Sequence, residues 1–288
     1  MKIRKPHVVG KFYPSDNTEL RNLISKIRDT ESDLIKLNLA KNKIIGGIVP
    51  HAGYIYSAYQ AVHFFEILKA SEQQFDTFVI INPNHTGYGE AISLDTNDAW
   101  ETPFGIHKID KELNDLLNFP KSEIAHKQEH SGEVMLPLLQ YFLNYDFRIL
   151  PITIGDQTYY NAQLIASQLR MASLKLNRKI CIIASTDFSH YVNPEEGKKQ
   201  DEKAIAEILK LNPEKLIKTV SKNRISMCGY GPVATLLEYA NSCTDKAKAE
   251  LLKYGNSGDV YPSAEVVDYA SFLIYEPPTI NKFNTTIA

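Results

Sequence analysis

The sequence is short of excess charge, cysteine and long apolar runs, and each shortage closes a class of function. Lys and Arg total 32 against 34 for Asp and Glu, a formal net charge of −2. Phosphate backbones are held by clustered positive charge, so an ordinary polybasic nucleic-acid binder is excluded. The three cysteines, Cys181, Cys228 and Cys243, are odd in number and form no CxxC pair, which argues against a disulfide framework and a zinc ribbon. The longest apolar runs, 78–81 and 180–184, fall far below the roughly 20 residues that cross a bilayer. The first six residues carry positive charge with no apolar region behind them, unlike a secretory leader. A cytoplasmic location away from membranes is the expectation.

There is likewise no internal repeat, low-complexity tract or Gly/Ser/Pro-rich linker, and a single domain over 1–288 is expected. What is present is a hydrophobic content of 43%, near the average of folded domains. Short β-rich runs alternate with amphipathic segments. Strands are expected at 44–49, 78–81, 147–154, 179–184, 249–254 and 269–275. Helices are expected over 57–70, 131–144, 163–174, one or two across 195–220, and one opening near Gly231-Pro232, where proline suits a first turn. The mixed-sign run 198–203 reads as a solvated helix face. Such alternation predicts an α/β fold, a mixed, mostly parallel sheet with helices on both faces.

In such a sheet ligands bind beyond the carboxyl ends of the strands. Polar clusters fall there. The first strand runs into Pro50-His51-Ala52-Gly53-Tyr54, the second into Asn82-Pro83-Asn84-His85, and the run 179–184 into Ser185-Thr186-Asp187-Phe188-Ser189-His190. A fourth cluster, Met227-Cys228-Gly229, lies at a helix start, where the helix end favours a thiolate. Singly, each has a plain structural use: a loop histidine, an Asx turn, a small buried thiol. Together, His51, His85, Asp187, His190 and Cys228 are the groups that bind first-row transition metals. Two histidines with one anion, Asp187 or the Cys228 thiolate, leave open positions on a metal, and a thiolate matches Cu(I), Zn or Fe better than Mg or Ca.

The segment Gln128-Glu129-His130-Ser131-Gly132-Glu133 opens another helix, with Ser131 as candidate N-cap and His130 or Glu133 as candidates to orient a ligand imidazole. His7, His63, His107 and His126 have no partner motif and are read as structural or solvated, Cys181 as core and Cys243 as a loop or helix-end residue. A thiol hydrolase or transferase built on Cys228, with His190 or His51 as base and Asp187 as orienter, is a second possibility. A third is a pocket that binds a peptide or protein through Tyr54, Tyr56, Tyr59, Tyr191 and Tyr230.

At these residues the sequence resembles the Memo family (mediator of ErbB2-driven cell motility), and among prokaryotic members those called AmmeMemoRadiSam system protein B. The resemblance rests on Arg4-Lys5-Pro6 through Gly10-Lys11-Phe12-Tyr13-Pro14, the His51 and His85 motifs, Glu129-His130-Ser131 with Glu133, the 185–191 motif and Cys228-Gly229. It implies an α/β/α sandwich similar to that of LigB-type class III extradiol dioxygenases. It also implies an iron or copper site on His51, His85 and Cys228, with zinc as a further candidate. Asp187 and His190 would line the pocket as acid/base groups, and Tyr54, His130 and Glu133 would support the ligands. Cys228 would stand where the dioxygenases carry a carboxylate, a change that alters the charge and redox tuning of the metal. The resemblance further implies O2 or a small molecule as ligand, and AMMECR1-like and radical-SAM proteins as partners on separate chains, since the cysteines here cannot build a radical-SAM cluster.

Overall fold

The structure is a computed structural model that describes residues 1–278. The last residues of the expected domain, 279–288, lie outside the described residues. Strand β1 (Ile3–Arg4) precedes helix α1 (Asn17–Glu31), and β2 (Lys43–Val49) leads into α2 (Tyr54–Ala70). After β3 (Thr77–Pro83) come β4 (Ile92–Leu94), β5 (Ala99–Thr102) and β6 (Gly105–Lys108), then the short helices α3 (Lys111–Leu116), α4 (Glu123–Lys127), α5 (His130–Glu133) and α6 (Met135–Phe142). Strand β7 (Arg148–Ile154), helix α7 (Tyr159–Leu176), β8 (Ile180–Ser185) and β9 (His190–Val192) follow. Helices α8 (Pro194–Leu209), α9 (Pro213–Asn223) and α10 (Tyr230–Cys243) precede the hairpin β10 (Lys248–Asn256) and β11 (Val266–Glu276).

The main sheet runs β10-β11-β2-β8-β3-β7-β4, with β9 attached to β11. Its centre, β2-β8-β3-β7, is parallel, and the strands on either side are antiparallel. The central strands are apolar on both faces because both are covered. Phe78, Ile80, Cys181 and Ile183 face α1, α2 and α6, while Val79, Ile81, Ile182 and Ala184 face α7, α9 and α10. Both layers of the expected sandwich are therefore present, and the strands expected from the sequence all form, within a few residues of their expected ends. Gly47 keeps one face thin: a Cβ there would sit 2.3 Å from the Phe64 ring on α2.

Three local readings change. The helix expected over 131–144 is broken at Val134 into α5 and α6, and Pro137 lies in the first turn of α6, where its missing N–H is no loss. Ser131 is not the cap of α5; the carboxylate of Glu129 caps it by accepting the Ser131 N–H. The 198–203 run is solvated at Lys198, Lys199, Glu202 and Lys203, but Asp201 is fully buried, because it shares a helical face with Gly197, Ala204, Ile205 and Ile208.

A small second sheet, β1-β5-β6, lies outside the strands expected from the sequence. It places Arg4 over the Trp100 ring, 4.5 Å from its centre, and in a buried ion pair with Glu133 at 2.7 Å. Arg4 also donates to the carbonyls of His126 and Glu129, so the N-terminal strand pins the segment that enters α5.

Candidate functional site

The carboxyl ends of β2, β3 and β8 point the same way because these strands are parallel. His51 follows β2, His85 follows β3 and Asp187 follows β8, each two residues beyond its strand. Cys228 sits immediately before Gly229, the N-cap of α10, and closes the fourth side. One donor atom each from His51, His85 and Cys228 lie within 4.8 Å of one another. The His51 and His85 rings meet edge to face with centres 5.1 Å apart, and the His130 ring lies 5.4 Å from the first and 4.7 Å from the second.

The hydrogen-bond network assigns the proton on each imidazole. Ser185 Oγ donates to the Ser131 carbonyl at 2.7 Å, so it accepts at 2.7 Å from His51 Nδ1. His51 Nε2 is then a bare lone pair, 3.3 Å from Cys228 Sγ. Burial first, then the nearby imidazoles of His130, His85 and His190, hold the His51 pKa well below the ordinary histidine value, so the ring is neutral. His85 donates from Nδ1 to Glu129 Oε1 at 2.9 Å and from its backbone N–H to Oε2 at 2.6 Å. Its Nε2 is free as well. Both histidines therefore show the arrangement typical of metal-ligating imidazoles, one nitrogen anchored and the other presented.

Glu129 also accepts from the Ser131 N–H and hydroxyl. Burial pushes its pKa up, but the hydrogen bonds from His85 and Ser131 prevail and bring it down to about 2. His85, Glu129 and His130 also lie close enough to form a donor set of their own. With four hydrogen bonds already accepted, Glu129 acts in the structure as an orienting carboxylate.

Asp187 is buried, and its Oδ1 accepts the His51 N–H at 2.7 Å while Oδ2 lies 3.9 Å from His51 Nε2. Burial raises its pKa to about 6 against the opposing pull of the His51 and Ala52 N–H groups and of His190 and His85. The Asp187 N–H donates to Cys228 Sγ at 3.2 Å. Burial and the Asp187 carboxyl both raise the Cys228 thiol pKa, so in the absence of a bound cation it keeps its proton. His190 donates from Nδ1 to the Ser226 carbonyl at 2.8 Å and presents Nε2. The next residue, Tyr191, has φ 54, left-handed backbone that a bulky side chain seldom adopts, and the residue is 74% exposed at the rim.

The Memo-like protein family model matches residues 4–273. The chain belongs to the Memo family. It is 39% identical over 275 residues to a MEMO1 family protein of Methanococcoides burtonii, covering 94% of this chain and 100% of the relative. A MEMO1 family protein of Desulfurococcus amylolyticus is 39% identical over 291 residues, covering 96% and 100% of the two chains. One of Archaeoglobus fulgidus is 37% identical over 276 residues, covering 94% and 99%. Among solved structures, an uncharacterized protein from Escherichia coli K12 is similar in fold, with a TM-score of 0.50 at 12% identity over 73% of this chain and 90% of that one.

Against this Memo-family site, the residues singled out from sequence divide into two groups. His51, His85, Asp187 and Cys228 converge, with His190 and His130 beside them. Glu133 and Tyr54 serve elsewhere. The Glu133 carboxylate accepts from the His7 and Val8 N–H groups and the Tyr13 hydroxyl and pairs with Arg4. The Tyr54 phenol is buried and donates to the Val134 carbonyl at 2.6 Å, at the break between α5 and α6. His130 meets the His51 ring edge to face and lies tilted against the His85 ring, its pKa lowered by burial to about 4, but it is Glu129 that orients His85. Gln157, beyond β7, is a further residue with no motif to announce it: its amide donates to the Cys228 carbonyl and accepts the Gly231 N–H, both at 2.8 Å, clamping the turn that carries the thiol. No helix among the described residues is long and apolar enough to cross a membrane.

Proposed function

We propose that this Memo-family protein is a metal-dependent redox protein that binds one iron or copper ion through His51 Nε2, His85 Nε2 and Cys228 Sγ. The observation that carries the reading is the proton assignment: two anchored imidazoles present bare nitrogens to one thiol. Bonds of 2.0–2.3 Å to nitrogen and sulfur imply donors roughly 3.5 Å apart around a tetrahedral ion. The spacing of 3.3 Å between His51 Nε2 and Cys228 Sγ fits. A donor set of two imidazoles and a thiolate suits iron, copper or zinc and leaves positions open. Iron or copper held there would supply one-electron chemistry and an open face for O2 or a small substrate.

The chain's own groups then have defined tasks. Cys228 must release its proton to act as a thiolate, and the Asp187 N–H stabilises the charge on sulfur. Asp187, with a pKa of about 6, changes protonation state near neutrality and is placed to take a proton and return it. His190 Nε2, fixed by the Ser226 carbonyl, is the second exchanging group. Asp187 is buried, whereas His190 lies partly exposed towards the rim, so the two would link the site to solvent. The hydrolase alternative shares the 3.3 Å approach of Cys228 Sγ to His51 Nε2, but burial and Asp187 favour the protonated thiol, which makes the metal reading the preferred one.

Elemental analysis of protein purified without chelators or tag metal tests the reading on the wild type, His85→Ala and Cys228→Ser. About one iron or copper per chain in the wild type, lost in both variants, is expected. Full metal retention in both folded variants overturns it, as does a wild type that stays empty after anaerobic reconstitution with Fe(II) and Cu(I).

A further inference from the structure

Behind the site lies a pair of acids that the proposed chemistry does not use. Asp201 on α8 and Asp268 on β11 are both fully buried where the helix packs on the strand, and their carboxyls face each other. Among the described residues neither has an ion-pair partner. The contact is close enough to dictate sequence: a Cβ on Gly197 of α8 would sit 2.1 Å from Asp268 Oδ2, so the helix can cross the strand only at a glycine.

The donors are divided unequally. Asp201 Oδ1 accepts the Ser189 hydroxyl at 2.6 Å, and its Oδ2 accepts the Tyr254 hydroxyl at 3.0 Å and, at 3.4 Å, the Ser189 N–H. Among the described residues neither Asp268 oxygen has a hydrogen-bond partner. Two buried carboxylates in contact cannot both be ionised, and the donors favour charge on Asp201, which leaves the proton on Asp268. The same two residues grip the segment carrying Asp187 and His190. The Phe188 N–H donates to the Asp268 carbonyl and the Asp268 N–H to the Ser189 carbonyl, both at 2.8 Å.

We propose that Asp201 and Asp268 share one proton and that the protonated pair is a pH-sensitive latch on the Asp187–His190 segment. The latch is independent of the metal reading, since it involves none of the proposed ligands. The groups facing the pair from each neighbouring element add no positive charge. They are Tyr254 of β10, Asp259 of the turn after β10 and Tyr269 of β11 itself. Lys253 of β10 is paired with Glu31, His190 of β9 is bonded to Ser226, and Lys198, Lys199, Glu202 and Lys203 of α8 are exposed. Burial and the facing carboxyl raise Asp268 to about 8, and burial raises Asp201. A raised carboxyl pKa means that the closed form holds a proton that the open form releases. The latch is therefore tightest in acid, weakens as pH climbs from about 4, and loses its proton-linked contribution as pH passes about 8.

Hydrogen exchange read by mass spectrometry on the peptide spanning 186–192, from pH 5 to 8, tests this. After correction for the intrinsic rate, wild-type protection should fall by up to about tenfold per pH unit. Asp268→Asn, whose amide donates permanently to Asp201, should abolish that dependence while α7 exchanges as in the wild type. Equal slopes in wild type and variant overturn the proposal. Infrared titration of the wild type decides the matter even where the variant does not fold. A carboxylic-acid band that disappears with a midpoint near 8, distinct from Asp187 near 6, supports the shared proton. Carboxyl titration complete by about pH 6 refutes it.

Discussion

Glu129→Gln isolates the orientation of His85 from its presence. The carboxylate offers two acceptor oxygens: Oε1 takes His85 Nδ1, the Ser131 N–H and the Ser131 hydroxyl, and Oε2 takes the His85 N–H. Glutamine keeps one acceptor. With its oxygen at the Oε1 position, the new NH2 faces the His85 N–H, donor against donor. In the flipped orientation the NH2 faces His85 Nδ1, which must then accept, moving the ring proton to Nε2 and removing the lone pair offered to a metal. Either outcome harms binding. Loss of such an orienting partner typically weakens a metal site 10–100-fold, about 1.4–2.8 kcal/mol. The assay is competition of Co(II) or Fe(II) between the protein and a chromogenic chelator, with thermal melting to confirm the fold. Affinity within about twofold of wild type in a folded Glu129→Gln protein would refute the claim that Glu129 presents His85 to a metal.

Further substitutions test the supports around it. Gln157→Ala removes the two bonds that Gln157 makes to the Cys228 turn, and should cost about 1–3 kcal/mol in urea unfolding and weaken the thiolate-to-metal absorption of the Co(II) protein. Arg4→Met strands a buried Glu133 and should cost about 3–5 kcal/mol by the same unfolding measurement. Gly47→Ala drives a methyl into the Phe64 ring and should cost about 1–3 kcal/mol, much of it recovered in the Gly47→Ala/Phe64→Leu double variant. Burial lowers the pKa values of His63, His107 and His126, so unfolding takes up protons below about pH 6.5. In an Asp268→Asn background stability should hold above that pH and fall below it, by up to about 1.4 kcal/mol per unit for each histidine; a flat profile between pH 5 and 6.5 would contradict this.

The sequence makes visible what periodicity and strand ends can show. Central strands announce themselves as unbroken apolar runs because both faces are covered, and the reactive residues lie just past their ends, which is why His51, His85 and Asp187 could be placed together beforehand. Strand β1, at two residues, has no period to read, so the small sheet and the role of Arg4 stayed hidden. Glu129 was visible only as the residue beside a histidine. Its signal was an acid just ahead of a short helix, where a carboxylate caps free N–H groups, and its tie to His85 spans 44 positions. Gln157 reaches Cys228 across 71 positions. Asp201 was masked by charged neighbours, although its spacing from Gly197, Ala204 and Ile208 marks the buried face.

Two supports hold two parts of this site, and their chemistry differs. Glu129 is an anion kept ionised by donors, so the His85 side is anchored across the whole range above about pH 2. The proposed Asp201–Asp268 latch works in the opposite sense, since its hold on the Asp187–His190 side weakens as the pair loses its proton. Raising pH should thus free the acid/base segment while the anchored imidazole of His85 stays in place. Metal affinity and proton-transfer competence should consequently part company in mildly alkaline solution, with affinity following Glu129 and competence following the latch. Glu129→Gln and Asp268→Asn separate them genetically: the first lowers affinity without changing the exchange slope of 186–192, and the second flattens that slope without removing a single proposed ligand.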